Sequence, residues 1–292
     1  ARLGQSSSYV IHQETLNNQT GENEQEMNLL QRDQIIAKIR NGAEWKSVNP
    51  ELTQAETLLS WYATPFAESD VLRICREQLA SWQMYHYFNT QREALVRQAP
   101  VARHEKMVSQ DGANLVQVLH TLYSGDRQFK EDLNLAMNAA FGDDFVELIF
   151  PPASDQRIQM RIRWKSLRSE QSAADLSDGT LHFLYLIAIL ANPNPPAALI
   201  AIDEPENGLH PSMLPIIAEY ARSASRRTQV IITTHSAELL DAFSEYEPTV
   251  TVAKWAEGQT QLDVLSGERL RYWLQDYTLG KLYRSGELEE LL

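Results

Sequence analysis

The pattern of apolar and polar positions changes character near Leu176. Beyond this residue, apolar stretches of helical period alternate with short, unbroken apolar runs. The pattern predicts, in order, a helix over 180–191, a strand over 198–202, a helix over 211–224, a strand over 229–233 and a helix over 236–243. Because strands that alternate with helices form parallel sheets covered on both faces, we expect an α/β domain here.

Upstream of Leu176 the pattern is mainly helical. Apolar residues recur at helical spacing between Leu29 and Ile39 and predict an amphipathic helix over 27–40. Ser69 is a good N-cap for a helix over 69–85. Two further helices are predicted over 114–123 and 127–141.

Short strands are predicted on either side of the α/β segment. The segments 145–150 and 157–164 are predicted to pair as strands, since the second alternates apolar and polar residues. Near the C-terminus, 249–253 and 260–264 predict a hairpin around Gly258. The chain from Gly267 onwards is predicted to be helical.

Composition narrows the possible classes of protein. The 292 residues carry a net charge of −13, so the chain as a whole is not a polycation built to coat nucleic acid. A single cysteine excludes an internal disulfide framework and favours a reducing cytosol, so we expect a cytoplasmic protein. No apolar run approaches the ~20 residues that a membrane-spanning helix needs.

One face of the predicted strand over 157–164 is basic. Two interpretations stay open for it, a solvated strand edge or a contact with DNA. The basic side chains are Arg157, Arg161, Arg163, Lys165 and Arg168.

The stretch LIAIDEPENGLHP contains the residues best suited to metal binding and catalysis. Its apolar run ends in two adjacent carboxylates, Asp203 and Glu204. Ligands of an open parallel sheet bind beyond the carboxyl ends of its strands. There, Asp203 is suited to hold Mg²⁺ and Glu204 to orient or deprotonate a water molecule. Taken alone, the pair could equally be an ordinary turn or helix cap.

Two weaker motifs flank this stretch. LSDGT places a Ser177 hydroxyl and a Gly179 backbone at the start of a predicted helix, where an anion can bind, although a simple N-cap explains the same residues. TTHS places His235 directly after the strand over 229–233, beside the acids. An imidazole there can contact a phosphate or the attacking water, but a capping or core histidine is the plainer alternative.

Together, in this order and spacing, the three motifs resemble the carboxyl-terminal half of an ABC-type ATPase. The specific resemblance is to the RecF/SMC-like "predicted ATPase" group, which includes ATPase modules of overcoming-lysogenization-defect nucleases and several phage-defence ATPases. It spans about 101–243 and, more loosely, residue 9 to the end. LSDGT in place of the transporter form LSGGQ is typical of the RecF-like branch.

The resemblance implies a role for each matching residue. Asp203 is the Walker B acid that holds the metal, Glu204 is the catalytic glutamate, and His235 is the switch histidine. Residues of the signature motif and of the D-loop region are implied to bind nucleotide, the signature residues contacting the ATP of the opposite subunit. These residues are Ser177, Asp178, Gly179, Asn207 and Gly208.

The same resemblance implies a fold and a mode of action. The expected fold is that of a P-loop NTPase, with a mostly parallel sheet flanked by helices. Its expected parts are a remnant of an N-terminal ATPase lobe (1–19), a mainly helical insert or lid (20–100), an ATPase core (101–248) and a C-terminal hairpin with helices (249–292). Implied cofactors are ATP and Mg²⁺, and the implied assembly is a homodimer across the ATP site, with DNA or a protein as a further partner.

No segment of the sequence matches the phosphate-binding pattern G-x-x-x-x-G-K-[ST]. We expect that the chain is a fragment that begins after this Walker A loop, because Glu204 and His235 serve hydrolysis best. The alternative is a degenerate homologue that does not hydrolyse ATP and acts as a nucleotide-sensing scaffold.

Overall fold

The computed structural model of the chain describes residues 2–3, 9–18, 27–33, 36–41, 44–48, 55–62, 69–194, 197–265 and 267–290. The chain divides into two compact units, Ala1–Ser81 and Trp82–Leu292. Within the described ranges, none of the helices combines the length and apolar character needed to cross a bilayer.

The first unit is built on antiparallel strands. Its described elements are β1 (Arg2–Leu3), β2 (Tyr9–Val10), β3 (Gln13–Asn18), β4 (Met27–Asp33), β5 (Ile36–Asn41), β6 (Glu44–Val48), α1 (Leu58–Tyr62) and α2 (Asp70–Ala80). Strands β3 to β6 pair in chain order as a meander. Leu30, Ile39, Leu58 and Leu72 form the centre of its core.

The helix predicted over 27–40 is wrong, because this segment forms strands β4 and β5. On β4, Leu30 and Arg32 are buried together with Leu29, and on β5 burial alternates, with Ala37 and Ile39 facing inwards. The Arg32 guanidinium is buried and donates to the carbonyl oxygen of Glu56 at 2.5 Å. Strands usually bury apolar residues and expose charged ones, whereas here Arg32 is buried and Ile36 is exposed. The alternation typical of a strand is therefore not visible in the sequence.

The second unit contains the remaining elements. In the described residues these are β7 (Gln83–Tyr85), α3 (Leu115–Gly125), α4 (Arg127–Phe141), β8 (Phe145–Ile149), β9 (Pro152–Ala153), β10 (Arg157–Ile158), β11 (Arg161–Trp164), β12 (Gln171–Ser172), α5 (Asp178–Leu190), β13 (Leu199–Asp203), α6 (Leu214–Ser225), β14 (Gln229–Thr233), α7 (Ala237–Phe243), β15 (Thr251–Ala256), β16 (Gln259–Val264), α8 (Gly267–Trp273), α9 (Leu279–Ser285) and α10 (Glu287–Glu290).

The sheet that positions the site is parallel. Its described strands follow the order β14-β13-β7, with Ile202 opposite both Tyr85 and Ile232. Helix α5 is apolar on nearly all sides and forms the centre of the core, with Phe183, Leu184 and Leu186 fully buried. The prediction of a mostly parallel sheet is correct for these strands and wrong for the other described strands, which pair antiparallel.

Helix α2 ends earlier than the sequence predicted. Ser69 caps it, accepting from the backbone N–H of Leu72 at 3.5 Å, but the helix ends at Ala80 rather than at Tyr85. Residues 83–85 instead form β7, which pairs with β13. This correction matters because β7 delivers a residue to the site.

Other predicted elements are confirmed close to their predicted bounds. Helices α3, α4, α5, α6 and α7, strands β13 and β14, the hairpin β15–β16 and the antiparallel pair β8–β11 all form.

Side chains on the basic face of β10 and β11 have partners within the chain. Arg163 forms ion pairs with Glu147 and Glu170, and Arg157 donates to the carbonyl oxygen of Ala99 at 2.7 Å. These contacts favour the solvated strand edge over the DNA contact.

Candidate functional site

The three parallel strands bring polar residues together where each strand ends. Asp203 ends β13 and lies opposite Thr233, the last residue of β14. On the other side, His86 directly follows the last residue of β7. The carboxyl edge of a parallel sheet is the usual place for ligands, so the candidate site lies at this edge.

Asp203 is held by one neighbour from each flanking strand. The Thr233 hydroxyl donates to Oδ1, and His86 Nδ1 lies 2.5 Å from Oδ2. The hydrogen bond from Thr233, and then that from His86, hold the pKa of the Asp203 carboxyl below its usual range. Its side chain is 40% exposed, so an ionised carboxylate faces solvent at the sheet edge.

Glu204 has an unusual backbone conformation. Its φ is +45°, in the left-handed region that residues other than glycine rarely adopt. The backbone N–H of Glu204 donates to the carbonyl oxygen of Thr233 at 3.0 Å and extends the parallel ladder, and the N–H of Asn207 donates to the carbonyl oxygen of Glu204 at 3.1 Å, which closes a turn directly after β13. Backbone strain of this kind is concentrated at functional sites.

This turn aims the Glu204 carboxylate at His235. Glu204 Oε1 lies 3.8 Å from His235 Nε2, and Glu204 Oε2 accepts from Asn207 Nδ2 at 2.7 Å. The Glu204 side chain is 39% exposed and that of His235 is 82% exposed. The structure thus brings Asp203, Glu204 and His235 together, as the sequence predicted.

The LSDGT motif forms the beginning of α5. Ser177 caps the helix, and its Oγ accepts from the backbone N–H of Thr180 at 3.0 Å. Asp178 forms an ion pair with Arg97 at 2.6 Å. Ser177 therefore acts as a helix N-cap, the simpler alternative given above. Its side chain is also exposed at the helix N-terminus.

Arg97 holds the segment that leads into α5. The Arg97 side chain is only 9% exposed, and its guanidinium donates to three carbonyl oxygens of that segment, to the carbonyl oxygen of Thr90 and to Asp178. The three carbonyls belong to Ala173, Ala174 and Leu176, at 3.2, 3.1 and 2.7 Å. A fork of donors that satisfies several carbonyls at once is specific to arginine.

The two predicted nucleotide-binding segments touch each other within this chain. A Cβ atom on Gly179 would lie 2.7 Å from the carbonyl oxygen of Gly208, so glycine permits this approach. One turn further along α5, His182 Nδ1 donates to the carbonyl oxygen of Asn207 at 2.6 Å. Burial lowers the pKa of His182 and favours the neutral ring.

Sequence reasoning missed three residues of this site. His86 follows a strand of only three residues, which the helical pattern of 69–85 concealed. Arg97 lies far from the motifs along the chain. Glu206 was visible inside DEPEN, but nothing in the sequence distinguished its role from that of an exposed loop acid.

The donor set suits a magnesium ion that is completed by a substrate. In the part of the chain that the structure describes, no cluster of three or more His, Cys, Asp or Glu side chains could hold a metal ion. Mg²⁺ usually takes one or two carboxylates, and phosphate oxygens and waters supply the rest. The ionised, partly exposed Asp203 fits that requirement.

Comparison with known proteins identifies the family. Residues 95–241 match the model of the family described as "AAA domain, putative AbiEii toxin, Type IV TA system", just over half of the chain. The chain belongs to this family. The AAA domain match includes Asp203, Glu204 and His235, and it supports the ATPase class that the motifs predicted. No curated protein matches the sequence.

Several solved structures are similar to part of this chain. One comes from work described as "Structural biochemistry of ATP-driven dimerization and DNA stimulated activation of SMC ATPases"; it is 14% identical, with a TM-score of 0.39, covering 56% of this chain and 96% of that one. The SMC head domain from Thermotoga maritima is 12% identical, with a TM-score of 0.35. The match covers 81% of this chain and 69% of that domain.

A third structure is an SMC head bound to the C-winged helix domain of ScpA. It is 15% identical, with a TM-score of 0.44, covering 61% of this chain and 54% of that one. This chain therefore spans about half of that head. Because all three TM-scores are low, the assignment rests on the family match.

Proposed function

We propose that this chain belongs to an ATP-hydrolysing molecular switch of the RecF/SMC-like ABC type, which acts through ATP-dependent dimerisation. The observation that carries the proposal is the cluster at the edge of the parallel sheet, where Asp203, Glu204 and His235 meet. Such a cluster suits the hydrolysis of a phosphate anhydride, because one carboxylate can hold a metal ion, a second can orient a water molecule and an imidazole lies beside them.

Each residue of the cluster has a proposed task. Asp203, ionised and oriented by Thr233, holds Mg²⁺, which neutralises charge on the phosphates when it is bound. Glu204 accepts a hydrogen bond from the attacking water and orients it. His235 faces Glu204 and donates to the phosphate oxygens or to the water, so catalysis consists of positioning and electrostatic stabilisation.

The signature side of the site is proposed to act on a partner subunit. Ser177 and Gly179 lie at the N-terminus of α5, a helix of 13 residues whose dipole favours an anion. The same chain carries the metal and water residues at the carboxyl edge of the sheet β14-β13-β7. In a symmetric dimer, each chain would then complete the site of the other, with Asn207 and Gly208 beside the shared nucleotide.

The proposed setting is DNA repair or phage defence. The family description names a putative toxin of a toxin–antitoxin system, and an activity of that class has to be regulated. A nucleotide-driven switch with a protein or DNA partner would provide that regulation.

The test uses the full-length protein and measures phosphate release. Changing Glu204→Gln removes the water-orienting carboxylate but keeps the shape of the side chain, so we expect release to fall by about 100-fold or more. ATP binding should persist, and an ATP-bound dimer should accumulate in size-exclusion chromatography. Glu219→Gln, an exposed acid on α6, is the matched control.

Two results would contradict the proposal. Unchanged turnover in Glu204→Gln would remove Glu204 from the reaction. ATP binding by the wild-type protein without phosphate release, with DNA and without it, would instead favour the nucleotide-sensing scaffold.

A further inference from the structure

Glu206 is a half-buried acid that no step of the proposed reaction uses. It lies two residues after Glu204, in the loop that leads from β13 towards Pro211. Its Oε1 accepts from the Thr234 hydroxyl at 2.5 Å and from the backbone N–H of His235 at 3.2 Å. Its Oε2 is buried and accepts no hydrogen bond from any residue that the structure describes.

These bonds join the loop after β13 to the loop after β14. Thr234 Oγ1, which donates to Glu206, also accepts from the backbone N–H of Ser236 at 2.9 Å. The Ser236 hydroxyl in turn caps α7, accepting from Leu239 N at 3.2 Å. The backbone of residues 234–236 is thereby fixed from the Glu206 carboxylate to the first turn of α7.

The fixed backbone determines where the exposed His235 ring lies. Its side chain is 82% exposed, and among the residues that the structure describes its one polar partner is the Glu204 carboxylate, at 3.8 Å. Because little packs around the ring, its position is constrained mainly through the main chain, by the hydrogen bond that the backbone N–H of His235 donates to Glu206. Catalytic groups require such support from the residues behind them.

We infer that Glu206 is a positioning residue, which holds the main chain of His235 so that its imidazole faces Glu204. The inference rests on the proposed function, since the rate of hydrolysis depends on the position of His235. A carboxylate suits the task because one oxygen accepts two hydrogen bonds, one from a hydroxyl and one from a peptide N–H.

A double-mutant cycle tests this inference in the full-length protein. Glu206→Ala should lower kcat by about 10-fold or more with little change in the KM for ATP, because substrate binding does not depend on the bond. In a His235→Ala background, Glu206→Ala should have little further effect. Glu206→Gln keeps one oxygen acceptor and should recover part of the rate, while Glu219→Ala serves as the control.

Equal losses of kcat from Glu206→Ala with and without His235 would overturn the inference, because a merely structural role acts independently of the histidine. A second measurement does not depend on hydrolysis. The backbone amide of His235 should exchange its hydrogen at least about 10-fold faster in Glu206→Ala than in wild type.

Unchanged exchange would also overturn the inference. A wild-type protein without phosphate release would instead refute the proposed function, whatever the exchange of the His235 amide shows.

Discussion

At the scale of single residues, the site depends on side chains that are oriented by neighbours on adjacent strands. Asp203 receives hydrogen bonds from Thr233 and His86, and Glu204 receives one from Asn207. Each acid therefore has a defined direction before any ligand binds. Preorganised groups of this kind contribute most to catalysis because they need no rearrangement during the reaction.

His182 should make stability depend on pH. Burial lowers its pKa in the folded state below the unfolded value of about 6.5. The stability that neutral His182 contributes is therefore complete above about pH 6.5 and is lost as the pH falls through the lowered folded value. Between about pH 7.5 and about pH 5.5, the urea midpoint should fall less in His182→Gln than in wild type.

The exposed His104 provides the control for this measurement. His104→Gln should lose as much stability on acidification as the wild-type protein does. An equally large loss in His182→Gln would contradict the buried, neutral state of His182.

The sequence predicted the residues with the most specific chemistry and missed those that support them. Asp203, Glu204 and His235 were predictable because each follows a short apolar run that forms a strand of the parallel sheet. His86 was not, since its strand has three residues and continues a helical pattern. Glu206 and Arg97 act through contacts between distant loops, which sequence spacing does not encode.

At the scale of elements, the beginning of α5 is fitted closely to the loop after β13. Gly179 allows the backbone of α5 to approach the Gly208 carbonyl, and Arg97 fixes the segment before the helix. Any change at this contact should move the signature motif and the Asn207 loop together. The two predicted nucleotide-binding segments are thus one packed unit within a chain.

Gly179→Ala tests this contact. The new Cβ would lie 2.7 Å from a backbone oxygen, so the loop or the helix has to shift. We expect a loss of about 1–3 kcal/mol in the free energy of unfolding, measured in urea. ATP turnover should fall as well, because the shift displaces Asn207 from Glu204.

Gly125→Ala is the matched control for this substitution. A Cβ there meets no atom within 4 Å, and the residue ends α3. Since alanine is the better helix former, stability should be unchanged or higher. Equal losses from both glycines would show that the close approach to Gly208 has no energetic importance.

Elements with one clear apolar period were predictable, and those with a mixed pattern were not. The helix α4 shows only the helical period, and the strands β13 and β14 are short, unbroken apolar runs. The hairpin β4–β5 does not, because it buries Arg32 and exposes Ile36, so the apolar residues fall at helical spacing by coincidence. Strand β7 itself was not predicted, because its pairing with β13 overrides the helical pattern of 69–85.

At the scale of the whole molecule, the proposed site is divided between two chains. In this proposal, one chain provides the metal, water and switch residues, and the other provides Ser177 and Gly179. The assignment of the chain to its family and the geometry at the sheet edge support the first half of this description. The division into domains at 19, 100 and 248 stays a prediction.

The most direct test of the shared site mixes two inactive variants of the full-length protein. Glu204→Gln disables the water side, and Ser177→Arg places a bulky cation at the exposed start of α5, where it blocks the partner's ATP. A mixed dimer then contains one site with both defects and one site with neither. Phosphate release should recover to about a quarter of the wild-type rate, since half of the dimers are mixed and each keeps one intact site. No recovery on mixing, with both variants folded and able to dimerise, would contradict a site shared between two chains.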